Sequence, residues 1–164
     1  MIRVGLCLIA LALCVPRATP CAGLVDVDKV IANAQIQAGH ALDTTRCEGA
    51  FQIHMPGYDD EWRLRATFQT QVNFHRVPGY ILSNPFAWGA VDCDNSANTF
   101  LISDAWAGLV GTEKMKQTFL HEFVHLLRCD AIIHDCGRQS NCSPSRHVYE
   151  EKLAYTIAQI CSND

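Results

Sequence analysis

The feature that most constrains this chain is the stretch His-Glu-Phe-Val-His at 121–125, which lies in a segment, 113–128, that contains no Pro or Gly. Apolar residues recur through this segment at near-helical spacing, which predicts an amphipathic helix with Thr112 as its N-cap. These residues are Met115, Phe119, Leu120, Phe123, Leu126 and Leu127. Because helix positions four apart share a face, His121 and His125 are predicted to point the same way and to bind one metal ion.

Glu122 lies one position round the predicted helix from His121, near enough to reach a water molecule held by that metal. Two histidines at this spacing, with the Glu between them, are typical of zinc proteases, where the Glu is the general base. Zinc lowers the pKa of its bound water, so we expect Glu122 to take the proton as that water attacks a peptide carbonyl. Glu122 can then pass the proton to the leaving amine. The alternative interpretation is an amphipathic helix with two incidental histidines.

A catalytic zinc takes three protein ligands and leaves one position open, so a further ligand must come from elsewhere in the chain. In the astacin-like metzincin pattern, a Gly and a third His occupy the positions that hold Arg128 and Ala131 here. That pattern therefore fails. His134 lies nine residues after His125, at a spacing that does not match, although loop geometry could bring it close. His134 stays an alternative ligand.

A better candidate lies on the last predicted helix, 148–161, which contains two adjacent glutamates, Glu150 and Glu151. Here the chain resembles the gluzincin branch of zinc metallopeptidases, whose third ligand is a Glu on a second helix after the motif. Some gluzincins show a Glu-x-x-Ala-x-x-Phe-Ala pattern. The matching residues are Glu151, Ala154, Ile157 and Ala158, with Ile in place of Phe. If Glu150 were the ligand, Leu153 would occupy the position where the pattern has the small residue Ala. The resemblance therefore favours Glu151 as the ligand and keeps Glu150 as the alternative.

The resemblance covers about 98–161 and implies an α+β, zincin-like fold. Its expected parts are an N-terminal helix, a mixed or antiparallel sheet, the motif helix and a C-terminal glutamate helix, stapled by disulfides. Only thirteen residues follow Glu151, so we expect a minimal, single-domain form with a shallow or open site. Gluzincins usually add a His or Tyr that stabilises the oxyanion. His147 is the first candidate for this catalytic role, ahead of Tyr149 and Tyr155.

The start of the chain carries the pattern of a secretory signal peptide. Arg3 precedes an apolar run at 4–15, which Pro16 ends. Twelve apolar residues are too few for a membrane span, which takes about twenty. We therefore predict a signal peptide at 1–22, a metallopeptidase domain at 23–164, and a secreted or periplasmic location.

The cysteine count agrees with export. Of nine cysteines, three lie in the predicted signal peptide and six remain. The six are Cys47, Cys93, Cys129, Cys136, Cys142 and Cys161. An even number in a secreted chain predicts three disulfides, among fifteen possible pairings that the sequence does not rank. None of these cysteines forms a Cys-x-x-Cys pair, so disulfides are favoured over zinc ligation by thiolates.

Charge and hydropathy limit the partners. The formal charge of the whole chain is −4, and loss of Arg3 and Arg17 with the signal peptide lowers it by two, to −6. No cluster of Lys and Arg is present to follow a phosphate backbone, which argues against nucleic acid. No second long apolar run follows, so no membrane association is expected after signal removal. The expected partner is a peptide or protein substrate, and the oligomeric state stays open.

Before the motif, the sequence predicts one helix and then strands. The spacing of apolar residues predicts a helix at 24–38, ended by Gly39. Alternation at 51–55 suggests a short strand, closed by Pro56 and Gly57.

A longer alternating run at 62–74 is the clearest strand pattern, with a bend expected near 68–70. Residues 80–82 offer another short strand, and 84–96 are typical of a loop. A strand at 98–103 leads into the motif helix, and we expect its backbone to pair with an extended substrate.

Two other classes of protein stay open. One is a non-catalytic, disulfide-rich secreted binding module, either without metal or with a structural zinc whose fourth position is closed by His134 or a cysteine. The other is a different hydrolase, such as an amidase acting on cell-wall peptide, which would use the same residues.

Overall fold

The computed structural model describes residues 25–57, 68, 73–77, 89–92, 99–129 and 143–163. The predicted signal peptide, the short strand at 80–82 and His134 lie outside these residues. Among the described helices, none combines the length and the apolar composition that a membrane span requires.

The described chain is a set of helices around a small sheet. In order, the elements are α1 Val27–Ala41, α2 Thr45–His54, β1 Asn73–Val77, β2 Gly89–Asp92, β3 Thr99–Ser103, α3 Asp104–Leu127 and α4 Pro144–Ser162. The α+β prediction is confirmed at this level, since the sheet has three strands and is mixed.

Helix α1 begins where the sequence places an acidic cap. The side chain of Asp26 accepts a hydrogen bond from the backbone N–H of Lys29 at 3.2 Å. The predicted stop at Gly39 is wrong, because the helix continues to Ala41. Ala41 and the C-cap residue Leu42 are both buried, so the apolar face extends past the glycine and keeps the chain helical.

Helix α2 replaces the strand predicted at 51–55. Thr44 caps it by accepting a hydrogen bond from the backbone N–H of Cys47 at 3.3 Å. Cys47, Ala50 and Phe51 are buried together, at a helical spacing of three and four residues. The strand prediction was wrong because five alternating residues cannot distinguish the two periods when a helix cap lies just upstream.

The sheet has β3 at its centre. β1 runs parallel to β3, with Asn73 opposite Thr99, and β2 runs antiparallel on the other side, with Val91 opposite Phe100. The loop predicted at 84–96 is therefore wrong at 89–92, where β2 lies. This strand is only four residues long, too short to give an alternating pattern.

Pairing on both sides removes the substrate role expected for β3. Residues 99–103 pair with β1 and residues 99–102 pair with β2. Both backbone edges of β3 are thus already used over this length, and an extended peptide cannot add to it. The prediction that the strand at 98–103 pairs with substrate is wrong.

A cluster of five phenylalanines packs the sheet against the motif helix. Phe68 lies at its centre, with ring centroids 5.8 Å from Phe74, 6.4 Å from Phe100, 6.4 Å from Phe119 and 5.3 Å from Phe123. All four pairs are edge-to-face, each stabilising by about 0.5–1.5 kcal/mol beyond area burial. Phe68 itself is helical, so the strand predicted at 62–74 does not run through it. The rest of that run before β1 lies outside the described residues.

Helix α3 carries the metal motif and is longer than the sequence predicts. Ser103 caps it by accepting a hydrogen bond from the backbone N–H of Trp106 at 3.1 Å. Gly111 interrupts the helix with φ 73° and ψ −178°. The uninterrupted part thus begins at Thr112, the residue predicted as the N-cap, while the turn before it extends the helix back to the end of β3.

Helix α4 begins earlier than predicted, at Pro144, after the cap residue Ser143. A disulfide joins Cys161 near its end to Cys47 of α2, across a sequence separation of 114 residues. Cys129 is also disulfide-bonded, and the remaining predicted cysteines lie outside the described residues. α4 therefore packs on α3 while being covalently tied to α2.

Candidate metal centre

The two motif histidines come together on one face of α3. Their ring centroids lie 4.7 Å apart and their Nε2 atoms 3.1 Å apart. Phe123 and Val124, the two residues between Glu122 and His125, are buried in the core. Burial of those two side chains holds this turn of α3 against the rest of the protein and directs both imidazoles towards α4.

Glu151 of α4 completes the group. Its Oε2 lies 3.3 Å from Nε2 of His121 and its Oε1 lies 3.3 Å from Nε2 of His125. The hydrogen bonds from His121 and then from His125 hold the pKa of Glu151 well below its ordinary value, despite the opposing effect of burial. Glu151 is therefore a carboxylate at neutral pH, which is the form that binds a cation.

The donor atoms fit a metal ion of the size of zinc. One ligand atom from each of the three residues can be chosen so that all lie within 4.8 Å of one another. Zinc bonds of about 2.0–2.2 Å at tetrahedral angles put ligand atoms roughly 3.3–3.6 Å apart. The observed separations of 3.1 Å and 3.3 Å are close to that range. The group His121, His125 and Glu151 could thus hold a metal ion.

Glu122 lies beside this group as a buried acid. Its exposed fraction is 7%. Burial raises the pKa of Glu122 to about 7, the charge of His121 opposes this rise, and the charge of Glu151 adds to it. With a pKa near 7, the carboxyl of Glu122 can exchange a proton near neutral pH.

Glu150, the alternative ligand, points to a different partner. It is buried and receives two hydrogen bonds from Arg128, from Nε at 2.6 Å and from Nη2 at 2.7 Å. Nη2 of Arg146 lies 2.9 Å from the same carboxylate. The structure thus brings Glu151, and not Glu150, to the histidines. The sequence analysis did not predict the two arginines as partners of Glu150. A signal was present, because adjacent residues on a helix point about 100° apart, so Glu150 and Glu151 must face different partners.

The three oxyanion candidates take different positions on α4. His147 is exposed on the first turn, and Tyr149 is exposed with the guanidinium of Arg146 5.4 Å from its ring centre. Tyr155 lies edge-to-face against His121, with ring centroids 6.2 Å apart. Of the three, Tyr155 is the one whose ring packs against a candidate ligand.

The candidate centre opens to solvent on the side of Glu151, whose side chain is 47% exposed. His121 and His125 are more enclosed, at 18% and 12%. Cys129 cannot close the centre as a thiolate, because it is disulfide-bonded.

Comparison with known proteins identifies no relative of this chain. No family model matches the chain, and neither a curated protein nor a solved structure matches it.

Proposed function

We propose that this protein is a secreted zinc-dependent peptidase of the gluzincin type. The observation that carries the proposal is the meeting of His121, His125 and Glu151 at 3.1–3.3 Å, from two helices separated in sequence. Glu122 adds an acid at the position where such enzymes carry their general base. The order of an N-terminal helix, a mixed sheet, the motif helix and a glutamate helix supports a zincin-like fold.

The residues of the proposed site have two roles, metal binding and proton transfer. His121 and His125 would bind zinc through Nε2, and Glu151 would bind it as a carboxylate. Zinc in such a site supplies Lewis acidity, which makes water easier to deprotonate and a carbonyl easier to attack. Glu122 accepts the proton from the attacking water and delivers it to the amine that leaves. Tyr155 and His147 are the candidates for stabilising the oxyanion, and the contact of Tyr155 with His121 supports the tyrosine.

Solvent access favours a catalytic site over a structural one. A structural zinc is closed by four protein ligands, whereas a catalytic zinc keeps one position open. The half-exposed carboxylate of Glu151 leaves one side of the group accessible to a peptide. A zinc site without turnover is the second candidate, and the same experiment separates the two.

The test is metal content and peptide cleavage of protein purified without an affinity tag. We expect one zinc per chain and cleavage of a mixed peptide pool, which a chelator abolishes and zinc restores. Glu122→Gln removes only the proton acceptor, so it should keep zinc and fold while losing about 10²–10⁴-fold in rate.

Two results would count against the proposal. Folded protein without bound zinc would remove the metal centre altogether. Folded protein with stoichiometric zinc and no cleavage of any peptide in the pool would leave a binding module.

A further inference from the structure

The two adjacent glutamates of α4 hold α3 at two separate points. Glu151 meets the histidines, with both carboxylate oxygens 3.3 Å from an imidazole nitrogen. Glu150 meets Arg128, which follows the last turn of α3 as its C-cap residue. We call Arg128, Arg146 and Glu150 the arginine–glutamate cluster. In this cluster, Arg128 lies three residues after His125, and Glu150 lies one residue before Glu151.

Two attachments of this kind fix the rotation of α4 as well as its position along α3. A shift by one residue would rotate the helix by about 100° and move it about 1.5 Å, which would break both contacts together. The pairing of Arg128 with Glu150 uses two donors on one planar group, so its direction is defined as well as its distance. Without the pairing of Arg128 with Glu150, Glu151 would be the remaining polar contact to α3 at this end of α4, and its carboxylate would be less firmly directed at the histidines.

We propose that the arginine–glutamate cluster is the positioning device of the metal centre. It sets Glu151 at the angle at which the carboxylate and the two imidazoles can share one ion. The inference rests on the proposed function, because it concerns how the zinc ligand is held. The cost of desolvating a buried ion pair offsets much of its Coulombic gain. Removal of one partner alone leaves a buried charge and lowers stability, so the effect of the cluster on ligand geometry is measured on variants that remain folded.

The same pair of helices offers a matched control at its other end. Lys116 of α3 is buried and donates a hydrogen bond to the backbone oxygen of Ser162 in α4 at 3.0 Å. This contact also joins α3 to α4 through a buried cation, but it involves neither the candidate ligands nor their sequence neighbours. Its loss should loosen the helix pair without redirecting Glu151.

The experiment measures zinc affinity by competition with a chromogenic chelator, on variants shown by circular dichroism to be folded. Arg128→Met and Glu150→Gln should each weaken zinc binding about 10–100-fold, the usual effect of removing a partner that orients a ligand. The double variant should bind zinc with about the same affinity as the single variant that binds it less tightly, because the two residues act as one unit. Lys116→Met should lower the unfolding midpoint and leave zinc affinity within about twofold of wild type.

The visible spectrum of the Co²⁺-loaded protein gives a readout that a purely structural contact would not move. Both cluster variants should change its intensity or band positions, and Lys116→Met should leave it unchanged. Should Arg128→Met fail to fold, Arg128→Lys carries the same test, because it keeps the charge and loses the two-pronged contact.

The outcomes separate the two proposals. Wild-type protein that binds no zinc would overturn the proposed function and, with it, this inference. Wild-type protein that binds zinc, with cluster variants whose affinity and Co²⁺ spectrum match those of Lys116→Met, would overturn the positioning role alone.

Discussion

Two neighbouring carboxylates on one helix have different partners because they lie one position apart. Glu150 is buried between two arginines, while Glu151 is half-exposed beside the histidines. The spacing of the motif is enough to predict His121 and His125, because helical periodicity alone aligns them. The choice of Glu151 came from a family resemblance. Of the two partners of Glu150, Arg146 lies four residues away on the same helix, whereas Arg128 lies 22 residues away, beyond the reach of a local pattern.

The titration of Glu122 gives a prediction at this scale for the metal-free protein. Burial raises the pKa of Glu122 from 4.5 to about 7, so ionisation of this side chain opposes folding. The stabilising contribution of the neutral acid is complete below pH 4.5 and is lost as the pH rises through 7. Glu122→Gln stays neutral, so relative to wild type it should gain up to about 3 kcal/mol of unfolding free energy between pH 4.5 and pH 8.

Urea unfolding in the presence of a chelator, at pH 4.5 and at pH 8, measures this difference. Wild type and Glu122→Gln should unfold at similar urea concentrations at the lower pH and separate at the higher one. A constant gap between the two proteins at both values would contradict the prediction.

At the scale of elements, the motif helix was predictable where its pattern is uninterrupted and unpredictable where it kinks. The apolar spacing after Thr112 predicts a helix, which α3 contains. Gly108 and Gly111 in the preceding turn suggest a break, yet the chain remains helical on both sides of Gly111. The strand predicted at 51–55 failed for a related reason, since the cap at Thr44 outweighed a short alternation.

The kink gives a prediction with a control in the same turn. At φ 73° and ψ −178°, Gly111 adopts a backbone conformation that is essentially restricted to glycine. Gly111→Ala should lower the unfolding free energy by roughly 1–3 kcal/mol. At Gly108, an added Cβ would lie 3.5 Å from a methyl group of Val27, an ordinary contact. Gly108→Ala should therefore be neutral or stabilise by up to about 1 kcal/mol.

Denaturant unfolding of both alanine variants beside wild type is the measurement. Equal losses at the two glycines would mean that backbone conformation is not the reason for Gly111.

At the scale of the whole molecule, the class of fold was predictable and its topology was not. Alternation and helical spacing give the α+β class and the two helices that carry the candidate ligands. The sheet order, with β3 between β1 and β2, depends on pairings across long separations, and β2 has no sequence pattern of its own. The pairing of cysteines is likewise set by the folded chain, and the count alone left fifteen possibilities.

The disulfide between Cys47 and Cys161 gives the prediction at this scale. In the chain-entropy model, closing a loop of this length stabilises the folded state by about 4–5 kcal/mol. Replacement of both cysteines by Ser should lower the unfolding free energy by about that amount. The measurement is urea unfolding of the double variant beside wild type under non-reducing conditions, and coinciding curves would show that the bond adds no stability.

The same bond bears on how the protein would respond to a single proteolytic cut. Cleavage anywhere from 130 to 142 divides the polypeptide between the segment with the two histidines and the segment with Glu151, yet Cys47–Cys161 still joins the pieces. The nicked protein should therefore migrate as one band on a non-reducing gel and retain all three candidate ligands. A thiol reagent would remove this covalent link, so the same nicked protein should migrate as two bands on a reducing gel.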